Sequence, residues 1–215
     1  MTIPLEAERT KVSELGKEML EQGLTKGTGG NISARNGDQV AISPSGVPYK
    51  EITPDDVPIV DLDGNQVAGE KDPSSEVAMH TGILREREDV GGVVHNHSPY
   101  ATTFASIGEP IPASHYLIAY VGDKIPVAPY ERFATPELAE SALDTLGQEY
   151  SACLLENHGV VTVGKNVDAA FEVAMMVEYC ARIHYQALDI GEPNILSDEE
   201  VDGLIESFEG YGEAH

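Results

Sequence analysis

Eight residues constrain the fold more than any others: Gly92-Val93-Val94-His95-Asn96-His97-Ser98-Pro99. Gly92, with Gly91 before it, leads into a short apolar run, the pattern of a buried strand. Side chains alternate along a strand, so His95 and His97 face the same way. Ser98-Pro99 then ends the strand and opens a helix, with Ser98 as N-cap and Pro99 at the first helical position. Two imidazoles on one face at a strand end suit a divalent transition metal such as zinc. The plainer alternative is two polar residues hydrogen-bonded to backbone. Two ligands are too few for a metal, and His158 is the best third. It lies in a turn between two apolar strands, where a histidine has no packing role. His80 and His184 fall inside helices, where a histidine is ordinarily solvated or part of the core; His115 and the terminal His215 are weaker still.

Periodicity and turn signals lay out the rest of the chain. Thr2 to Gln22 reads as an amphipathic helix, with Leu5, Val12, Leu15 and Met19 on one face and Gly23 as its stop. Ile32 to Ser43 is a hairpin around Asn36-Gly37, and Val57 to Ala68 a second around Asp63-Gly64. A helix begins at Asp72-Pro73-Ser74-Ser75-Glu76 and runs to about Arg87, with Glu76 in its first turn. Ile125 to Ala128 is a short strand, Pro136 to Leu146 a helix, and Ala152 to Val163 a hairpin turning at Asn157-His158-Gly159. Asn166 caps a long helix to about Ile190, and a capping box, Ser197-Asp-Glu-Glu200, opens a last helix to Phe208. Hairpins mixed with helices imply an α/β fold with a largely antiparallel sheet flanked by helices, not a Rossmann sheet.

Charge narrows the partners. The chain carries 37 acidic and 13 basic residues in 215, a net −24. The acids are spread along the chain, and 41% hydrophobic residues argue against disorder. Such a surface repels nucleic acid and anionic membranes, so neither is an expected partner. The N-terminus has no apolar signal core, and a cytoplasmic location is the default expectation. Cys153 and Cys180 lack metal spacing and read as buried free thiols. The acidity also suits a halophilic, salt-rich cytoplasm, because at 1 M salt the Debye length falls to about 3 Å and self-repulsion is screened. The expected result is a melting temperature that rises from dilute buffer to molar KCl. Greatest stability in dilute buffer, with activity lost in molar KCl, would contradict it.

Three loops share one character. Gly30-Asn31, Ser45-Gly46 and Ser74-Ser75 offer unhindered backbone N–H groups or hydroxyls, and the last stands at a helix N-terminus. An anion can be bound that way without Lys or Arg, although each loop alone is an ordinary turn. The glycines at 27, 29 and 30 lack the dinucleotide fingerprint and the P-loop ending. Glu76 by itself is a dipole-stabilising surface residue. Beside a metal and a bound phosphate it becomes a candidate general base that takes a proton from carbon.

These motifs occur in a familiar order. Gly29-Gly30-Asn31, Ser43-Pro44-Ser45-Gly46, Pro73-Ser74-Ser75-Glu76, His95-Asn96-His97, Ile111-Pro112-Ala113-Ser114-His115-Tyr116, Ile125-Pro126-Val127-Ala128-Pro129-Tyr130 and Asn157-His158-Gly159 resemble the class II aldolase/adducin family nearly end to end. The resemblance implies one domain over residues 1–215 that assembles as a homotetramer. It implies one zinc ion per subunit on His95, His97 and His158, with Glu76 also at the metal at rest. It implies cleavage of a ketose 1-phosphate, of the L-fuculose 1-phosphate type, to dihydroxyacetone phosphate and an aldehyde through a metal-stabilised enediolate. The phosphate would rest on Gly30, Asn31, Ser45, Gly46, Ser74 and Ser75, and Glu76 would shuttle the proton. Tyr116 would come from a neighbouring subunit to the aldehyde-side oxygen, and Phe133 and Tyr211 would shape the aldehyde end. The apolar run Ile118 to Val121 past Tyr116 is by itself either core or interface, and the resemblance favours interface. Ser45 stands where the aldolases carry threonine, which keeps a hydroxyl. Within the same family, a methylthioribulose-1-phosphate dehydratase, a pentulose-phosphate 4-epimerase and a non-catalytic adducin-like module remain alternatives. The epimerases carry Asp at the position of Glu76, and the adducin modules lack the full ligand set.

Overall fold

The computed structural model describes residues 4–211, with side chains through Phe208. In chain order the elements begin with α1 (Glu6–Glu21), β1 (Asn31–Asn36), β2 (Gln39–Ile42), β3 (Ile59–Asp61) and β4 (Gln66–Ala68). Then come α2 (Val77–Glu86), β5 (Gly92–Asn96), α3 (Pro99–Ile107), β6 (Val127–Ala128) and α4 (Pro136–Leu146). The chain closes with β7 (Ala152–Leu155), β8 (Gly159–Gly164), α5 (Val167–Ile190) and α6 (Asp198–Tyr211). All eight strands form one sheet in the order β4-β3-β2-β1-β5-β8-β7-β6. Every pairing is antiparallel except β6 with β7. The α/β class and the largely antiparallel sheet expected from the sequence are both observed.

Alternation along β5 sorts the layers. Val93 packs on one face with Ile42, Met79 and Ile83, beneath α2 and α4. Val94 packs on the other with Val12, Met19 and Phe171, beneath α1 and α5. A third apolar cluster joins α3, α5 and the end of β7 around Phe104, Leu154 and Val177. His95 has the parity of Val93 and therefore looks toward the α2 side. So do Asn31 and Ser33, because in the β1–β5 register Asn31 opposes His95 and Ser33 opposes Val93. Cys153 and Cys180 are buried and free, as expected, and burial pushes both thiols up, Cys180 to about 12.

Several local expectations are corrected. The first helix starts at Glu6, because Leu5 sits at its N-cap with φ 59 and cannot extend it; residues 2 and 3 lie outside the described part. Glu76 is not in the first turn of α2. It occupies the N-cap position with φ −99, and its side chain makes no capping bond. The Ser74 hydroxyl instead accepts the Glu76 backbone N–H, at 3.2 Å, which frees the carboxylate to point elsewhere. β5 stops at Asn96, so His97 lies just past the strand. Residues Tyr116–Tyr120 form a 3₁₀ turn, and the run beyond Tyr116 is not a surface patch: Ile118 and Val121 are buried in the core beside Phe104. Tyr116 itself is half exposed. Among the described residues no helix is long and apolar enough to cross a membrane.

Candidate active site

Antiparallel pairing decides what meets at the end of β5. Its C-terminal end lies between the N-terminal ends of β1 and β8. The glycine loop before β1 and the turn before β8 therefore arrive at one edge of the sheet. Asn31 opposes His95 from one side, and Gly159 follows His158 on the other. Asn157, at φ 55, makes the reversal that turns His158 inward. These approaches are too tight for side chains. A Cβ on Gly30 would lie 2.5 Å from the His95 carbonyl oxygen, and one on Gly159 would lie 2.5 Å from that of Asn96. The Tyr49 hydroxyl donates to the Gly30 carbonyl at 2.9 Å and holds that loop.

The end of β2 reaches the same edge. Pro44 bridges to Pro73, and the Ser74 N–H donates to the Ser43 carbonyl at 3.1 Å. The loop of Ser45 and Gly46 is thus tied to the start of α2. The result is a cavity of about 530 Å³. Its wall includes all six residues expected to meet phosphate: Gly30, Asn31, Ser45, Gly46, Ser74 and Ser75. Glu76, His97 and His158 line its floor, with His95 fully buried behind them. Phe133 also lines the cavity, with Tyr130 and Glu131, to which the sequence reading gave no site role. Tyr116 does not line this cavity, and the side chain of Tyr211 lies outside the described part.

Three imidazoles meet here. Ligand nitrogens of His95, His97 and His158 lie within 4.8 Å of one another. His95 Nδ1 stands 2.8 Å from the Val160 carbonyl, which can only accept, so the proton sits on Nδ1 and Nε2 offers a lone pair. That Nε2 is 3.1 Å from His97 Nε2 and 3.3 Å from Glu76 Oε2. Glu76 Oε1 is 3.7 Å from His158 Nε2 and is buried with no hydrogen-bond partner. Three imidazole nitrogens and a carboxylate thus lie within ligand range of one another. The donor set of three nitrogens and one carboxylate oxygen suits a divalent transition metal.

The protonation states agree with that use. Burial pushes His95 down to about 3, and it also lowers His97 and His158, so all three rings are neutral. Burial alone would raise the Glu76 carboxyl. The hydrogen bond from the Asn31 amide N–H, 2.8 Å from Oε2, favours the ionised form, and the net direction for Glu76 is below its ordinary value.

Residues 10–185 match the family described as Class II Aldolase and Adducin N-terminal domain. The chain belongs to the class II aldolase and adducin family. A 5-deoxy-D-ribulose 1-phosphate aldolase of Bacillus thuringiensis serovar kurstaki is 49% identical over 97% of this chain and 99% of its own length. A 5-methylthioribulose-1-phosphate/5-deoxyribulose-1-phosphate aldolase of Rhodospirillum rubrum is 40% identical over 93% of this chain and 90% of its own. Among solved structures, an L-fuculose 1-phosphate aldolase superposes with a TM-score of 0.92 at 40% identity, covering 97% of this chain and 98% of that one. This class II aldolase is therefore an enzyme, a lyase of the aldolase type, and its family acts on phosphorylated sugars.

Sequence reasoning missed one buried residue of this aldolase that reaches the site. His80, four residues past Glu76 on α2, contacts Asn31. The Glu76–His80 spacing places both on one helical face, a signal that an isolated view of His80 could not use.

Proposed function

We propose that this class II aldolase reversibly cleaves a ketose 1-phosphate to dihydroxyacetone phosphate and an aldehyde with the help of zinc. One observation carries the reading: an ionised carboxylate and three neutral imidazoles meet on the floor of a cavity whose rim is made of three anion-type loops. His95, His97 and His158 would hold the metal, with Glu76 as a further oxygen donor at rest. A bound divalent metal supplies a Lewis acid that draws electron density from a carbonyl oxygen and so weakens the bonds on the neighbouring carbon.

The chain's own residues do the rest. Gly30, Asn31, Ser45, Gly46, Ser74 and Ser75 receive the phosphate with backbone N–H groups, an amide and hydroxyls, and the start of α2 adds its dipole. In the cleavage direction the C3–C4 bond breaks. In the synthetic direction ionised Glu76 takes the C3 proton from dihydroxyacetone phosphate; in cleavage Glu76 takes up a proton from solvent and passes it to C3, while the C4 hydroxyl gives up its own. Tyr116 exchanges a proton with the aldehyde-side oxygen. Phe133 and Tyr130 also line the cavity, and apolar rings there fit a substrate ending in an apolar group. The relative at 49% identity acts, by its name, on 5-deoxy-D-ribulose 1-phosphate, and a 5-deoxypentulose 1-phosphate is the substrate we infer.

The test is release of dihydroxyacetone phosphate, followed by its enzymatic reduction, from 5-deoxy-D-ribulose 1-phosphate, 5-methylthioribulose 1-phosphate and L-fuculose 1-phosphate. The expected result is cleavage with the highest kcat/KM for the first. Loss of water from the methylthio sugar without cleavage would show a dehydratase, and recovery of a C4 epimer an epimerase.

Tyr116 belongs to this reading only across a subunit boundary, since it is half exposed and away from its own chain's cavity. A closed ring would bring every Tyr116 to the next protomer's site by the same contact. Glu76→Gln and Tyr116→Phe should each be nearly inactive. Co-refolded in equal parts, they should recover activity at up to about a quarter of the sites, because each productive site needs one intact residue from each of two chains. Demonstrated subunit exchange with no returning activity would remove Tyr116 from the neighbouring site.

A further inference from the structure

His80 is completely buried on α2, and every polar atom of its ring is engaged. Its Nδ1 lies 2.7 Å from the Ser33 hydroxyl, and its Nε2 meets the Asn31 side-chain oxygen. The other end of the Asn31 amide donates to Glu76 Oε2 at 2.8 Å. The three partners come from β1 and from the start of α2, and they share the sheet face on which His95 lies.

The direction of this chain is fixed by elementary bookkeeping. A carboxylate only accepts, so the Asn31 atom facing Glu76 must be the amide nitrogen. The Asn31 oxygen then faces His80 and can only accept. His80 must therefore carry its proton on Nε2, which leaves Nδ1 to accept from the Ser33 hydroxyl. All donors point one way, Ser33 to His80 to Asn31 to Glu76, and each bond polarises the next. The opposite tautomer would turn the Asn31 amide over and set its oxygen against the carboxylate. Asn31 left to itself has no such preference, because its two ends have nearly the same shape.

We propose that His80 is a positioning residue for the proton-transfer step: its Nε2–H locks the Asn31 amide in the orientation that holds the Glu76 carboxylate in place. The inference rests on Glu76 acting as the base, as proposed above. It adds that the base is aimed by a histidine that touches neither metal nor substrate. It also couples the cavity's anion-binding wall to the base, since Asn31 belongs to both.

Two kinds of measurement test it. In the wild-type protein labelled at histidine, the ¹⁵N shifts of His80 should show the proton on Nε2. A proton on Nδ1 would overturn the proposal, and this readout needs no variant to fold. The variants are His80→Leu, which removes the donor, and His80→Gln, whose amide nitrogen can replace Nε2–H. Exchange of the dihydroxyacetone phosphate C–H proton with solvent is followed together with KM, metal content and melting temperature. His80→Leu should lose about 10²-fold in exchange rate, the scale of a misplaced catalytic group, with metal content and KM little changed. His80→Gln should recover most of that loss. Equal impairment of the two variants would reduce His80 to a packing role, and a folded His80→Leu exchanging at the parental rate would overturn the proposal outright. Glu76→Gln is run alongside. Should it keep full exchange, the assignment of the base fails; should it lose exchange while His80→Leu does not, only the positioning role fails.

Discussion

Replacing His158 with alanine should give a folded protein that holds no stoichiometric metal and releases no dihydroxyacetone phosphate. His158 lies in a turn and belongs to none of the three apolar clusters, so truncation removes little core packing. Circular dichroism and melting temperature should stay close to the parent. The metal is a different matter. His95 and His97 alone are two nitrogens, fewer than the three protein ligands of a catalytic zinc site. The same deletion leaves Glu76 Oε1 with no nitrogen on that side of the cluster. Elemental analysis after gel filtration measures the outcome directly. One zinc per chain in His158→Ala would remove His158 from the ligand set.

Glu76→Gln should separate metal from proton transfer. Glutamine has the shape of glutamate, and its oxygen can still accept from the Asn31 amide, so zinc and phosphate binding are expected to survive. It cannot take a proton from carbon. Solvent exchange of the dihydroxyacetone phosphate C–H proton should therefore fall by about 10²–10⁴-fold, the usual contribution of a positioned general base. The wild-type carboxyl lies below its ordinary value, so near neutral pH the full population is in the basic form and the variant removes all of it. Exchange at the parental rate would assign the base to another residue.

Local pattern in the sequence reached a long way here. Gly92 to Pro99 reads directly as a buried strand entering a helix, and β5 and α3 follow it. The Asn36-Gly37 and Asn157-His158-Gly159 turns fix hairpins at both flanks of β5, and those hairpins carry Asn31 and His158 to its end. What local pattern could not show depends on partners distant in sequence. His80 looks like any helical histidine until Ser33 and Asn31 arrive from 47 and 49 residues away. Glu76 looks like a first-turn acid, and only the Ser74 hydroxyl beneath its N–H shows the chain still outside the helix there. Ile118 and Val121 read from sequence as core or interface alike, because the third apolar cluster that buries them is built from the distant α3, α5 and β7. The Tyr130 to Phe133 wall lies in a loop with no periodicity, and a hydrogen bond from the Tyr130 N–H to Glu156 ties that loop to the residue before the Asn157-His158 turn.

The most direct test of the account is metal dependence of the cleavage itself. The protein is stripped with a chelator, its residual metal measured, and release of dihydroxyacetone phosphate from 5-deoxy-D-ribulose 1-phosphate followed before and after addition of one zinc per chain. The account predicts background activity in the stripped protein, with unchanged circular dichroism, and full recovery on adding zinc. Cleavage at the untreated rate by protein with no measurable metal would contradict it.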